Sequence, residues 1–294
     1  MTLKITLGKG AKKTFVLHQH IKKKEAEALA QKQTSLAFVE GIKSVFGRKG
    51  EPPKPANYHL RYHPFWHVQG ESFFEYKRTD TYQFSVGPEV REVNFGKQHI
   101  KTIPGENACA FEGIAHCFEH YEKELLQDAL TEKGKNFTSY LDKKKKELSS
   151  LRAIKDGKVG HIHVRASFLL NQLYAEVIKP INADKVLESK VVINALALHL
   201  VPIHIFEFSL QEKTKVILVD AVTGDARKDS GLFASLMHKY WSGETVFDIG
   251  SELASTIIPG AGIGMILAKK AMDKRKTKHT TEKRQKFNNA YKKK

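Results

Sequence analysis

Cysteine is nearly absent from this chain. Cys109 and Cys117 are the only two in 294 residues, too few for a disulfide framework, which points to a reducing compartment. Arginine is scarce as well, supplying 9 of the 49 basic residues. Lysine is a point charge suited to unspecific attraction, whereas arginine's planar fork binds bases and phosphates bidentately, so sequence-specific nucleic-acid reading is disfavoured. No uncharged run reaches the ~20 residues of a bilayer-spanning helix. The opening Met-Thr-Leu-Lys-Ile-Thr-Leu contains no apolar signal-peptide core, so secretion is not expected. The Asn136-Phe-Thr138 sequon then reads as an ordinary helix start.

Catalytic signatures are missing too. There is no Cys-x-x-Cys, His-Glu-x-x-His or Gly-x-Ser-x-Gly element. Gly8-Lys-Gly-Ala-Lys-Lys-Thr14 lacks the second glycine of a phosphate loop. Gly260-Ala-Gly-Ile-Gly264 places its third glycine one position early for a dinucleotide fingerprint.

What is present is positive charge, unevenly spread. Residues 1–49 hold 11 Lys/Arg against 3 Asp/Glu, and residues 269–294 hold 12 against 2. The ends thus carry +8 and +10 of the total +17, leaving residues 50–268 at −1. A neutral body with basic ends implies an anionic partner engaged by the ends. The pattern divides the chain into a basic hairpin and amphipathic helix (1–49), a neutral body (57–248) and an apolar helix with a lysine tail (250–294). Glu51-Pro-Pro-Lys-Pro-Ala-Asn57 is the stiff linker between the first two.

Within the body one pattern recurs. Tyr58–Val68, Tyr82–Val86 and the segment to Val93 are echoed by Leu200–Phe206, Lys215–Asp220 and Ala221–Arg227. These read as two related hairpin units, 58–93 and 200–227. Val219-Asp-Ala-Val-Thr-Gly224 reads as a strand ending in an Asx/Gly turn, and over that turn it resembles PepSY-type hairpin modules. Pro64 cannot donate to a ladder, so 58–68 is expected on an edge. Both faces of Leu198–Phe208 are apolar, which predicts a strand buried on both sides. Helices are expected over 22–47, 108–130, 138–152 and 167–179, with a hairpin around Gly8–Gly10 and a strand over 159–165. The fold class implied is α+β: antiparallel β-hairpins in a duplicated unit packed with helices, and basic helical terminal arms.

Three sets of candidate residues follow. Leu253–Ala268 is 16 residues without a charge. Gly260, Gly264 and Ala268 form a small-xxx-small face beside Ile257, Ile258, Ile266 and Leu267. Lys269, Lys270, Lys274, Arg275, Lys276, Lys278, Lys283, Arg284 and Lys286 come next, positioned to attract acidic headgroups or nucleic-acid phosphate. His59, Arg61, His63, Phe65, Trp66 and His67 make the expected edge a surface for a protein partner, and the composition also permits a homo-oligomer. Helical spacing over 108–130 would put Cys109, Glu112, His116 and His120 on one face, with His161 and His163 as further ligands, a set suited to zinc. His59, His63 and His67 are not such a set, because four-residue steps on a strand are about 13 Å apart at roughly 3.3 Å per residue. No cofactor is required by the favoured reading: a non-catalytic binding or adaptor protein on the cytoplasmic face of a membrane. Unspecific nucleic-acid binding and a His/Glu metal enzyme are the alternatives.

Overall fold

Long-range strand pairing, more than local helical period, decides this fold. The computed structural model describes residues 3–42, 55–131, 136–210 and 213–228. In chain order its elements are β1 (Lys4–Leu7), β2 (Lys12–Leu17), α1 (Lys23–Ile42), β3 (Asn57–Ser85), β4 (Glu92–Phe95), β5 (Gln98–Lys101) and β6 (Ala108–Asp128). There follow α2 (Thr138–Leu141), β7 (Lys145–Glu147), β8 (Lys158–Val159), α3 (Ala166–Val177), β9 (Lys185–Leu210), β10 (Lys213–Asp220) and β11 (Ala226–Lys228). Nine of these strands form one mixed sheet, with β4 and β5 as a separate pair. The protein is therefore mostly β, not the helix-packed α+β assembly expected.

The sheet is built on two long strands. β9 and β3 pair antiparallel from Asn57↔Glu207 to Lys77↔Lys185. On its other edge β9 takes β1 and β2 in parallel and then β10 antiparallel. The other edge of β3 takes β8 and then β6. β1 and β2 thus lie end to end along β9 rather than pairing as a hairpin. The segment 58–68 and residues 82–85 of the second segment belong to one strand, so the first expected hairpin unit is not a hairpin. Its echo around Leu200 is its direct neighbour in the sheet: Tyr62 pairs with Pro202 and Pro64 with Leu200.

Both prolines sit where a strand changes partners. On β3, pairing with β8 ends at Tyr62 and pairing with β6 starts at Phe65. On β9, pairing with β2 ends at Leu200 and pairing with β10 starts at Ile203. A residue without an N–H costs no ladder bond in such a gap. Their carbonyls still accept, from Ala129 N–H at 3.1 Å and Ala221 N–H at 3.0 Å. Pro64 therefore marks a junction inside the sheet and not its edge.

Residues 108–130, expected as the strongest helix, are a strand. The segment alternates as well as it spirals, and the 21 partners that β3 offers from Phe65 to Ser85 settle the choice. Tertiary pairing overrides local period here. Its even positions Ile114 and Phe118, needed for the helical stripe, are exposed. The expected helix over 138–152 shrinks to one turn, α2, followed by β7. The expected strand over 159–165 is reduced to β8.

α3 forms where its apolar spacing predicts and stops before Pro180. Leu169, Leu170, Leu173 and Val177 are buried on the sheet against Trp66, Val68, Phe74 and Tyr76. Gly70 permits this approach, because a Cβ there would stand 2.7 Å from Leu173 Cδ2 and 2.9 Å from Val192 O. Beside it β9 carries one extra residue, Asn194, since Gln69 pairs with Ala195 and Gly70 with Ile193. An inserted residue reverses the alternation of faces. The core accordingly uses odd positions Val191 and Ile193 before the bulge, and even positions Leu196, Leu198 and Leu200 after it. β9 is buried on both faces through Phe206, as its composition implied. α1 begins with the Glu25 carboxylate accepting the Lys22 N–H at 3.1 Å, half of a capping box. Its Ala26 and Ala30 pack on Phe206, Phe208, Ile217 and Val219.

Candidate functional site

The face of β3 turned away from α3 carries its odd residues: His63, Phe65, His67, Gln69, Glu71, Phe73 and Glu75. At one end this face is covered. The segment starting at Asn136, whose Oδ1 accepts the Thr138 N–H at 3.0 Å, lays Phe137 flat on Phe65 with centroids 4.4 Å apart and rings 5° from parallel. α2 then brings the Tyr140 hydroxyl to Asp220, donating to Oδ2 at 2.5 Å. Burial, and then the neighbouring Asp220 carboxylate, hold the Tyr140 phenol well above its ordinary pKa. The other oxygen of Asp220 accepts the N–H groups of Val222 (2.7 Å) and Thr223 (3.0 Å). That is the Asx turn read from the sequence.

Between these elements lies a cavity of about 240 Å³. Phe137, Val201 and Ile203 give it apolar walls, His63, Tyr140 and Asp220 polar ones, and Asn136 and Arg227 complete the lining. Asn136 and Arg227 are solvent-exposed, whereas His63 is buried. The His63 Nε2 lies 3.1 Å from Asp128 Oδ2, and both side chains are almost wholly out of water. Asp128 Oδ1 accepts the Leu130 N–H at 2.8 Å, fixing the turn that ends β6. The arrangement offers a cation at the exposed side, an oriented imidazole, and an apolar body between them.

Next to the cavity His199 is stacked on Phe65 at 4.9 Å and lies 5.1 Å from Phe15. It is buried, and neither ring nitrogen has a hydrogen-bond partner. Burial first, and then the charges of Lys145 and His67, pull its pKa down to about 3, so the ring is neutral at ordinary pH.

Farther along, the same face opens to water and carries a regular ladder. His67 Nε2 meets Glu124 at 2.7 Å, His120 Nε2 meets Glu71 at 3.0 Å, and His116 Nε2 meets Glu75 at 2.6 Å. Glu71 also accepts the Asn194 amide at 2.9 Å. This placement disperses the expected metal set. Glu112, His116 and His120 do share a face, but on a strand their four-residue steps are about 13 Å each. Cys109 has the opposite parity and is buried. His161 and His163 lie edge to face at 4.8 Å on the loop after β8. Among the described residues no group of three or more His, Cys, Asp or Glu side chains is placed to hold an ion.

The expected partner surface is also redistributed. Phe65 and Trp66 are fully buried, and the Trp66 Nε1–H donates to Val164 O at 2.8 Å in the core. Arg61 and His67 are half-buried, and His59 stands 3.8 Å from Glu207. Large apolar groups are exposed instead at Tyr82 and Ile114 on the outer half of the β3–β6 ladder, at Phe118 on its inner half, and at Phe95 beside it. The apolar candidates Ile257–Ala268 and the basic candidates Lys269–Lys286 lie outside the described residues. Among the described residues no helix is long and apolar enough to cross a membrane.

A second basic feature escaped the sequence reading because it joins distant segments. β7 pairs antiparallel with β2, setting Lys146 against Val16 and Lys145 against Leu17. The His18 N–H donates to Lys144 O at 2.8 Å. Lys12, Lys143, Lys144 and Lys146 are exposed along this sheet margin, next to Lys13 and Lys145. The Lys13–Glu147 ion pair at 3.0 Å offsets only part of that charge. Comparison with known proteins finds no matching family model, no matching curated protein and no matching solved structure.

Proposed function

We propose that this protein is a non-catalytic binding protein that docks on an anionic surface, the cytoplasmic face of a membrane. The observation that carries this reading is the lysine margin of β2 and β7, where residues 130 positions apart in sequence add to one basic patch. The tail supports it, since twelve basic residues follow directly on a 16-residue uncharged run. Lysines near an acidic bilayer contribute about 1 kcal/mol each, and an adjoining apolar segment adds attraction that salt does not screen. Lysines on an edge strand also discourage pairing with another sheet, so the two roles need an experiment to separate them.

That experiment is co-sedimentation of the full-length protein with anionic and with neutral vesicles across a salt series. Lys143→Gln/Lys144→Gln/Lys146→Gln and Lys269→Gln/Lys270→Gln/Lys274→Gln/Lys276→Gln are run in parallel. Anionic vesicles should bind and neutral ones should not, with each lysine removed costing about fivefold in affinity. Equal binding to both vesicle types, or indifference to both variants, ends the membrane reading. Salt-sensitive binding to duplex DNA without vesicle binding would transfer the basic surfaces to nucleic acid.

A further inference from the structure

The cavity under α2 has no part in surface docking, yet its lining is specific in charge and shape. Its acidic group is already engaged: Asp220 accepts three hydrogen bonds, from the Tyr140 hydroxyl and the N–H groups of Val222 and Thr223. The carboxylate of Asp128 faces His63. Arg227 presents a planar five-donor guanidinium, and no carboxylate among the described residues forms an ion pair with it. Asn136, exposed like Arg227, has its Oδ1 occupied by Thr138, so its amide group is the end left to donate. The Asp225 carboxylate nearby is likewise engaged, by the Thr223 hydroxyl at 2.9 Å, so the groups left to bind on the exposed side are donors, the guanidinium and the amide, which suit an anion.

The inner walls select what the anion is attached to. Phe137, Val201 and Ile203 are buried apolar side chains, and an inorganic ion would leave them facing water. At about 240 Å³ the space lies below the ~300 Å³ at which drug-sized sites begin, so one ring or a short branched chain fills it. We propose that this cavity binds a small organic carboxylate. The carboxylate sits on the Arg227 guanidinium, the apolar body lies against Phe137, Val201 and Ile203, and the inner end meets His63, held in place by Asp128. Planar guanidinium matches carboxylate geometry in a two-point contact.

Benzoate is the probe, titrated calorimetrically into the full-length protein, with benzyl alcohol as its uncharged counterpart. Saturable benzoate binding is expected, with benzyl alcohol weaker by about tenfold or more, the loss expected when a hydrogen bond to a charged partner is removed. Arg227→Gln should reduce benzoate affinity by a similar factor while leaving benzyl alcohol unchanged. Because Arg227 is exposed on β11, that variant should retain the wild-type melting temperature, which is measured alongside. Ile203→Phe, which fills the cavity, should abolish binding of both probes. The proposal is overturned if benzoate does not saturate at millimolar concentration, if benzyl alcohol binds equally well, or if Arg227→Gln binds benzoate like the wild type. None of these outcomes depends on vesicle binding, so this inference and the docking reading stand or fall separately.

Discussion

The ladder between β3 and β6 has two halves that obey the same alternation and differ in everything else. From Phe65 to Lys77, β3 has β9 on its other edge and α3 above its even residues. From Arg78 to Ser85 it has β6 alone. In the first half Trp66, Val68, Phe74 and Tyr76 are buried. In the second Tyr82 is exposed, and so is Ile114, the partner of Thr79. A period of two fixes which side chains share a face. Whether that face becomes core depends on a third strand and a helix supplied from elsewhere in the chain. The outer half stays ordered through aromatic contacts of its own, Tyr82 with Phe111 at 5.5 Å and Phe95 with Phe111 at 6.1 Å.

Matched substitutions break this comparison most directly. Trp66→Ala removes a fully buried indole together with its bond to Val164, and should cost about 3–5 kcal/mol in urea unfolding. Tyr82→Ala should cost only about 1 kcal/mol, the value of an aromatic pair at the surface. Equal losses would mean that the outer half is covered by a second molecule in solution. The two glycines give the next contrast. Gly70→Ala drives a methyl against Leu173 and the carbonyl of Val192, backbone that cannot yield, and should cost about 1–3 kcal/mol. Gly113→Ala meets the edge of the Tyr82 ring at 3.0 Å and the Phe111 ring at 3.5 Å, side chains rather than backbone and at an exposed surface, so its cost should be smaller than that of Gly70→Ala.

His199 sharpens the comparison through pH. Its pKa falls from 6.5 to about 3 on folding. Above pH 6.5 the ring is neutral in both states and contributes no pH dependence. Between 6.5 and 3 the unfolded chain takes up a proton that the folded one refuses, so stability declines as pH falls, by at most ~1.4 kcal/mol per unit. His199→Phe keeps the stack on Phe65 and removes the titration. The free energy of urea unfolding from pH 7 to 5 should fall for the wild type by about 2 kcal/mol more than for the variant. Parallel curves would show that water reaches the ring.

Part of this was legible in the sequence and part was not, for physical reasons. α3, the two-sided burial of Leu198–Phe208 and the Asx turn after Val219 depend on contacts within a few residues or on composition, and they were read correctly. β6 looks helical in the sequence because Ile114 and Phe118 fit a helical stripe, while the partner that makes the segment a strand lies some forty residues earlier. Pro64 reads as an edge mark in the sequence because its gap is defined by β8 and β6, both distant. The residues around the cavity come from β3, β9, the end of β10, β11, α2 and the two residues before it, and no spacing rule joins them. His63, Asn136 and Asp220 stand out in the sequence, but for separate reasons: an edge surface, a helix start and a turn. Charge segregation, a sum over residues, was visible, but the lysine margin of β2 and β7 needed the pairing.

The smallest expected effect concerns the exposed His/Glu ladder, and its smallness is informative. His120 pairs with Glu71 at 3.0 Å, where their side chains are 40% and 21% exposed. The carboxyl of Glu71 is held below its ordinary pKa first by the Asn194 amide and secondarily by His120. Removing the imidazole by His120→Ala therefore leaves the principal partner in place. The loss should be below about 1 kcal/mol, as for other surface pairs. Asn194→Ala should be the larger of the two, because it removes the bond that also ties the β9 bulge to β3. The stability carried by Glu71 is present above its unfolded pKa near 4.5 and disappears as pH falls through the lowered folded value. An acid titration of stability near pH 4 should then be flattened more by Asn194→Ala than by His120→Ala. The reverse order would show that the ladder of histidines, and not the bulge, anchors this face of the sheet.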